Sequence, residues 1–389
     1  MHTVNRIVGL TVFSAIVALT APTAQAGSED YERRGVTDAN LPVFYESLKK
    51  DFSFRMAWRN VGGDFSEWRK AARTKFNDLL LQDKDETAFE PQVLDEQDRG
   101  TYVARKITFN VSRYSRVSAL MLVPKRDGPH PAAYVLHDHG AKFDIGKEKL
   151  VEPWGDAARA ASAKEWVDKY YSGRFVGDEL AKQGYVVLST DALGWGDRAN
   201  NGYETQQALA ANLFNLGSSW AGIIAAEDVR AAEFLASQPM VDRTRIAAVG
   251  FSMGAYRAWQ VAALTDAIQA GVVVNWMATL DGLMVPGNNQ LKGQSAYSML
   301  HPGMGRFFDY PDAASIAAPK PMLFFAGEKD PLFPVPSVEA AFDTMKGVWQ
   351  ASGAPQNLET RIWPLAHVFT SEEQNAVFAW LGKTFGSKK

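Results

Sequence analysis

Apolar positions along this chain change period from segment to segment. Phe65, Trp68, Ala72, Phe76 and Leu80 recur at helical spacing and predict one buried face within a helical segment, residues 41–82. Core packing is the expected role of those aromatics. Residues 100–123 predict a β-hairpin. Segments 102–109 and 117–123 have strand composition, and 110–116 supply the turn. After a Pro/Gly-rich break at 124–131, strands and helices alternate. Strands are expected over 132–136, 185–189, 246–249, 270–274, 321–326 and 358–363. Helices are expected within 156–183, over 220–236, just after residue 252, over 337–349 and over 371–385. That alternation predicts an α/β fold, a mostly parallel central sheet with helices on both faces. No internal repeat or low-complexity tract is visible.

The 389 residues, 46% hydrophobic and 22% charged, are ordinary globular composition with ample length for a core. Residues 95–389 are expected to form one catalytic domain, with 27–94 as an N-terminal helical extension packed on it. A formal net charge of −3 gives no electrostatic case for nucleic acid or an anionic membrane as partner. Residues 1–26 read as a signal peptide: a basic start to Arg6, an apolar stretch over 7–19, and Ala24-Gln25-Ala26 as the cleavage signal. Cleavage after Ala26 predicts a periplasmic or secreted protein. The apolar stretch is short for a membrane span, so no stable insertion is expected after cleavage; an uncleaved anchor is the alternative. The chain contains no cysteine, which excludes disulfides, thiolate metal sites and a cysteine nucleophile.

The densest chemical signal is Gly250-Phe251-Ser252-Met253-Gly254, set between a predicted strand and a predicted helix. Strand, sharp turn and helix is the setting in which G-x-S-x-G exposes a nucleophilic serine. A serine hydroxyl needs a base, and the base needs an orienting acid. Beyond the signal segment there are five histidines: His130, His137, His139, His301 and His367. His130 lies in a Gly-Pro-His-Pro turn and reads as solvated. His367 follows the last strand, where open α/β sheets collect functional groups, and is the expected base. Asp330 follows the preceding strand and is the expected acid, with Glu328 and Asp281 as alternatives. The order Ser252, Asp330, His367 is that of α/β-hydrolases. The oxyanion hole is expected from the amide of Met253 and that of His139, with Gly140 as second choice. His137 and His139 form an H-x-H pair that invites zinc. No further His/Asp/Glu cluster is placed to complete such a site, so no metal and no cofactor are expected.

With these residues in place the chain resembles the α/β-hydrolase superfamily, and within it the dienelactone-hydrolase and acetyl-xylan-esterase-like bacterial esterases. The resemblance rests on 136–140 (Leu-His-Asp-His-Gly), 191–198, 250–254, and 316–321 leading to Asp330, and it spans roughly 95–385. Three departures stand out, one of them Ala255 in place of a frequent glycine after the serine turn, which should be tolerated. His-Asp-His-Gly replaces the commoner His-Gly-x-Gly, so Asp138 could orient a histidine or repel an acidic substrate. Dienelactone hydrolases proper use a cysteine, which this chain lacks. The resemblance therefore implies an exported serine esterase acting on short-chain or acetyl esters, carried by a small molecule or a carbohydrate. A serine peptidase of the prolyl-oligopeptidase kind and a non-catalytic binding protein on the same fold are the alternatives. Asp191 and Arg198 are expected to hold their loop. Trp154, Trp166, Tyr170, Tyr171 and Trp195 could form a substrate platform or only pack, with Trp154 and Trp195 as the substrate-binding candidates.

Overall fold

The computed structural model describes residues 35–199, 202–292 and 297–386. The predicted signal peptide lies outside the described residues. The segment expected to be helical breaks into three: α1 (Tyr45–Lys50), α2 (Trp58–Val61) and α3 (Phe65–Leu79). Asp64 starts α3 by accepting the Glu67 amide at 2.9 Å. Trp68, Ala72, Phe76 and Leu79 are its buried stripe, as the periodicity requires.

A first strand, β1 (Gln92–Asp98), was not foreseen. Every residue in it is exposed, so it carries no apolar alternation, and pairing with one neighbour is what makes it a strand. The hairpin β2 (Tyr102–Ser112) and β3 (Ser115–Pro124) is longer than its composition suggested. Its register brings Ser112 opposite Ser115, leaving a two-residue loop.

The remaining elements follow in order: β4 (His130–Leu136), α4 (Ala157–Tyr170), α5 (Val176–Lys182), β5 (Val186–Thr190), α6 (Gly202–Asn215), α7 (Trp220–Ser237) and β6 (Val241–Phe251). Then come α8 (Met253–Leu264), β7 (Ala270–Val274), α9 (Leu280–Leu283), α10 (Tyr310–Ala314), β8 (Met322–Gly327), α11 (Val335–Ala351), β9 (Leu358–Trp363) and α12 (Ser371–Phe385). Helix α6 was also missed. Only Gln206 and Ala210 on it are buried, too few to mark a periodic stripe.

The described strands form one sheet in the order β1-β2-β3-β5-β4-β6-β7-β8-β9. The first three and the β3–β5 pairing are antiparallel, and β5 through β9 run parallel. Successive residues of β6 face opposite layers: Ile246 and Ala248 join the core under α3, α7, α8 and α11, while Ala247, Val249 and Phe251 join the one under α4, α5 and α12. Both faces of the sheet are thus covered, and the loops after β4, β6, β7, β8 and β9 share its carboxyl edge.

Candidate active site

Strand β6 delivers Ser252 in a positive-φ conformation (φ 55°, ψ −126°) that non-glycine residues rarely adopt. The Ser252 amide donates to the Val274 carbonyl of β7 at 2.9 Å, and α8 begins at the next residue. The two flanking glycines are required by contact. A Cβ at Gly250 would lie 2.0 Å from the Gly254 carbonyl oxygen, and one at Gly254 would lie 1.9 Å from the Leu136 carbonyl oxygen. The helix can therefore start hard against β4 and β6 only without side chains there.

His367, in the loop after β9, reaches this serine. Its Nε2 lies 2.8 Å from Ser252 Oγ, and its Nδ1 lies 2.6 Å from Asp330 Oδ2. A carboxylate only accepts, so Nδ1 carries the proton and Nε2 offers its lone pair to the Ser252 hydroxyl. Asp330 is buried, and its other oxygen accepts the Leu332 amide at 2.9 Å. The competing acids stand elsewhere: Glu328 is exposed, and Asp281 pairs with Lys49 at 2.9 Å. Phe251 and Phe333 pack on the imidazole, with ring centroids 4.8 and 6.2 Å away. Asn275, at φ 57° beyond β7, donates its Nδ2 to the Val368 carbonyl at 2.9 Å and so braces the histidine loop. Sequence reasoning had not assigned it a role; its only signal was its place just past a strand.

The loop after β4 faces the serine. Met253 heads α8, so its amide has no intrahelical acceptor. Gly140 takes φ +48°, and a Cβ there would sit 2.3 Å from the Trp166 ring. Burial, then the Arg257 and Lys149 cations, hold the His137 pKa well below the usual histidine range. Its Nδ1 donates to the Asp138 carbonyl at 2.9 Å, and its Nε2 accepts the Ala192 amide at 3.1 Å. Both nitrogens are thus engaged, which removes it as a zinc ligand. Among the described residues no group of three His, Asp or Glu side chains is placed to hold a metal. His139 is pushed down to about 4 by burial and by Lys149, and its Nδ1 meets the Gly140 carbonyl at 2.9 Å. The Asp138 carboxylate is tied down by the Tyr171 hydroxyl at 2.6 Å and Trp166 Nε1 at 3.1 Å, so it orients no histidine.

These groups open on a cavity of about 200 Å³ with aromatic and aliphatic walls, including Trp166, Tyr170, Tyr203, Trp276 and Phe333. Asn288 and Gln290 are polar members of its lining. Two expected substrate residues are corrected. Trp154 lines a separate groove, where its indole N–H donates to Asp95 at 2.8 Å and Lys106 and Arg99 sit 4.7 and 5.5 Å from its ring. It lies on the stretch before α4 that runs toward β1. Trp195 is 0% exposed, stacked on Trp220, with its N–H on the His139 carbonyl at 2.8 Å. The loop after β5 folds inward against α7 and takes that ring into the core. Of the aromatics considered, Trp166 and Tyr170 line the cavity and Tyr171 is buried beside it. His130 is likewise buried, not solvated, with Nε2 on the Arg126 carbonyl at 3.1 Å. Asp191 and Arg198 do hold their loop, through Lys147 at 2.6 Å and Glu227 at 2.6 and 2.8 Å.

A serine turn at the centre of a mainly parallel sheet, met by a histidine and an acid from the last two strand ends, defines the α/β-hydrolase class. The chain belongs to the Abhydrolase family, whose model matches residues 30–382. It is 26% identical over 287 residues to YtaP of Bacillus subtilis (strain 168), a hydrolase by inference, across 73% of this chain and 89% of that one. Among solved structures it is similar to BF1801 of Bacteroides fragilis NCTC 9343, an acetyl xylan esterase by inference. That match has a TM-score of 0.62 at 17% identity and covers 82% of this chain and 81% of the other. A glucuronoyl esterase from Solibacter usitatus matches with a TM-score of 0.56 at 13% identity, covering 90% and 97%. At these identities the solved structures speak for the fold alone.

Proposed function

We propose that this protein is an exported serine esterase that cleaves short-chain, carbohydrate-linked esters by acyl transfer. The observation that carries the reading is the continuous hydrogen-bonded chain Ser252–His367–Asp330 at the mouth of an aromatic cavity. In this reading Ser252 Oγ attacks the ester carbonyl carbon while His367 Nε2 takes its proton. Asp330 holds the imidazole tautomer and stabilises the imidazolium. The amides of Met253 and His139 receive the oxyanion. The alkoxide leaves with the proton from His367, and water repeats the sequence on the acyl-enzyme to release the acid. The small cavity favours a short acyl group, and aromatic walls suit the face of a sugar ring. The names carried by BF1801 and the Solibacter usitatus enzyme agree with a carbohydrate ester. The basic, apolar and Ala-x-Ala pattern of residues 1–26 supports export.

Ser252→Ala is expected to lower turnover of p-nitrophenyl acetate by about 10⁴-fold or more, with an unchanged thermal unfolding midpoint. A folded Ser252→Ala variant that keeps its activity would overturn the assignment.

A further inference from the structure

Lys149 is 0% exposed and lies just beyond the loop that carries His139 and Gly140. Its ammonium is spent on two neighbouring residues. Nζ donates to the His139 carbonyl at 2.9 Å and the Asp138 carbonyl at 3.1 Å, and stands 3.5 Å from Asp138 Oδ2. The Trp166 ring lies 4.9 Å from the same nitrogen. Lys147, two residues earlier and equally buried, provides the contrast. Its ammonium meets carboxylates, those of Asp191, Asp197 and Glu148 at 2.6, 2.8 and 2.9 Å, and serves as a loop fastener. Lys149 instead makes its shortest contacts with main-chain oxygens. Burial accordingly lowers its pKa, with Asp138 opposing.

A trans peptide unit points its carbonyl and its N–H in opposite directions. Clamping the Asp138 oxygen therefore turns the His139 N–H away from Lys149. Clamping the His139 oxygen, which also accepts Trp195 Nε1 at 2.8 Å, does the same for the Gly140 N–H. Those two amides are the candidates for the second oxyanion donor. A cation bonded to a carbonyl oxygen also draws charge toward that oxygen and strengthens the N–H of the same unit as a donor. We infer that Lys149 is a positioning residue for the oxyanion hole, fixing and polarising the two peptide units between Asp138 and Gly140. The inference rests on the acyl-transfer reading of Ser252.

The test is Lys149→Met, which keeps length and removes the charge. With p-nitrophenyl acetate, kcat is expected to fall about 10- to 100-fold, with KM within about threefold. The decisive readout is inhibition by phenylboronic acid, which forms a tetrahedral adduct on the serine and needs the same donors. Its Ki is expected to rise by the same factor as kcat falls. Should Lys149→Met fail to fold, Trp195→Phe removes the other donor on the His139 carbonyl, and about a threefold or larger rise in Ki is expected. An unchanged boronate Ki in whichever variant folds overturns the proposal. Ser252→Ala separates the two readings. If it is inactive while the Lys149 and Trp195 variants bind boronate normally, only the positioning role falls. If it is active, the acyl-transfer reading falls first.

Discussion

At Ser252 the backbone holds a conformation that costs a non-glycine residue about 1–3 kcal/mol. The bond to Val274 and the side-chain-free approach of Gly250 and Gly254 hold it in place. Burial keeps His137, His139 and His301 neutral. His301 donates Nε2–H to Gln260 at 2.6 Å and is held down to about 3 by burial. Its folded pKa is thus depressed below the unfolded value of about 6.5. The stability it protects is fully present above that pH and is lost as pH falls toward 3, because the unfolded chain takes the proton first. By pH 5 this term amounts to about 2 kcal/mol. His301→Asn should therefore show a shallower loss of urea-unfolding stability between pH 7 and 4 than the native chain, and equal slopes would refute it. At this scale the sequence pointed to Ser252, His367 and Asp330, which the fold joins in one hydrogen-bonded chain, because each motif sits at a strand end. It was misleading for Trp195, because nothing local says which way a loop ring turns.

Among the elements, α12 does more than close the fold. Thr370 and Glu373 cap it reciprocally, through Glu373 Oε2 on the Thr370 amide at 2.8 Å and the Glu373 amide on Thr370 Oγ1 at 3.4 Å. One turn in, the fully buried Gln374 donates to the Phe369 and Tyr171 carbonyls, both at 2.8 Å. That amide ties the loop carrying His367 to the end of α4, whose Tyr171 in turn holds Asp138. Gln374→Leu should cost about 1–3 kcal/mol by removing the donor on the buried Phe369 carbonyl and leaving the Tyr171 carbonyl only the Arg174 amide, at 3.2 Å. On the acyl-transfer reading it should also lower kcat several-fold through a looser His367, read by urea unfolding and ester kinetics on one preparation. Elements with a strong apolar pattern, one-sided in α3 and continuous in β7, were predictable. Those held mainly by a neighbour, β1 and α6, were not, since pairing partners leave no mark on local composition.

Across the whole molecule, two cores meet at the sheet, and a buried polar junction pins its centre. Arg257 of α8 grips Asp228 of α7 with two bonds, at 2.8 and 2.7 Å, and the Tyr134 hydroxyl of β4 joins the same carboxylate at 2.7 Å. Both members of the pair are almost fully buried. Removing one would leave an uncompensated charge beneath the serine turn. Asp228→Ala should lose about 3–5 kcal/mol, seen as a lower urea midpoint, whereas a well-packed Asp228→Leu/Arg257→Met double variant should recover most of it. A double variant no more stable than the single would show that the pair's geometry, not its charge balance, matters.

The sequence by itself determined the alternation of strands and helices, the serine turn, and the chain order of Ser252, Asp330 and His367. These are written in short stretches, as periodicity, as glycines where no Cβ fits, and as polar residues at strand ends. Only the tertiary structure decided which acid meets His367, that Trp166 and Tyr170 line the cavity in place of Trp154 and Trp195, and that Lys149 lies beneath the loop after β4. Those outcomes depend on how loops from distant strands pack against one another. Burial and hydrogen bonding between residues far apart in the chain are set there, and no local pattern encodes them.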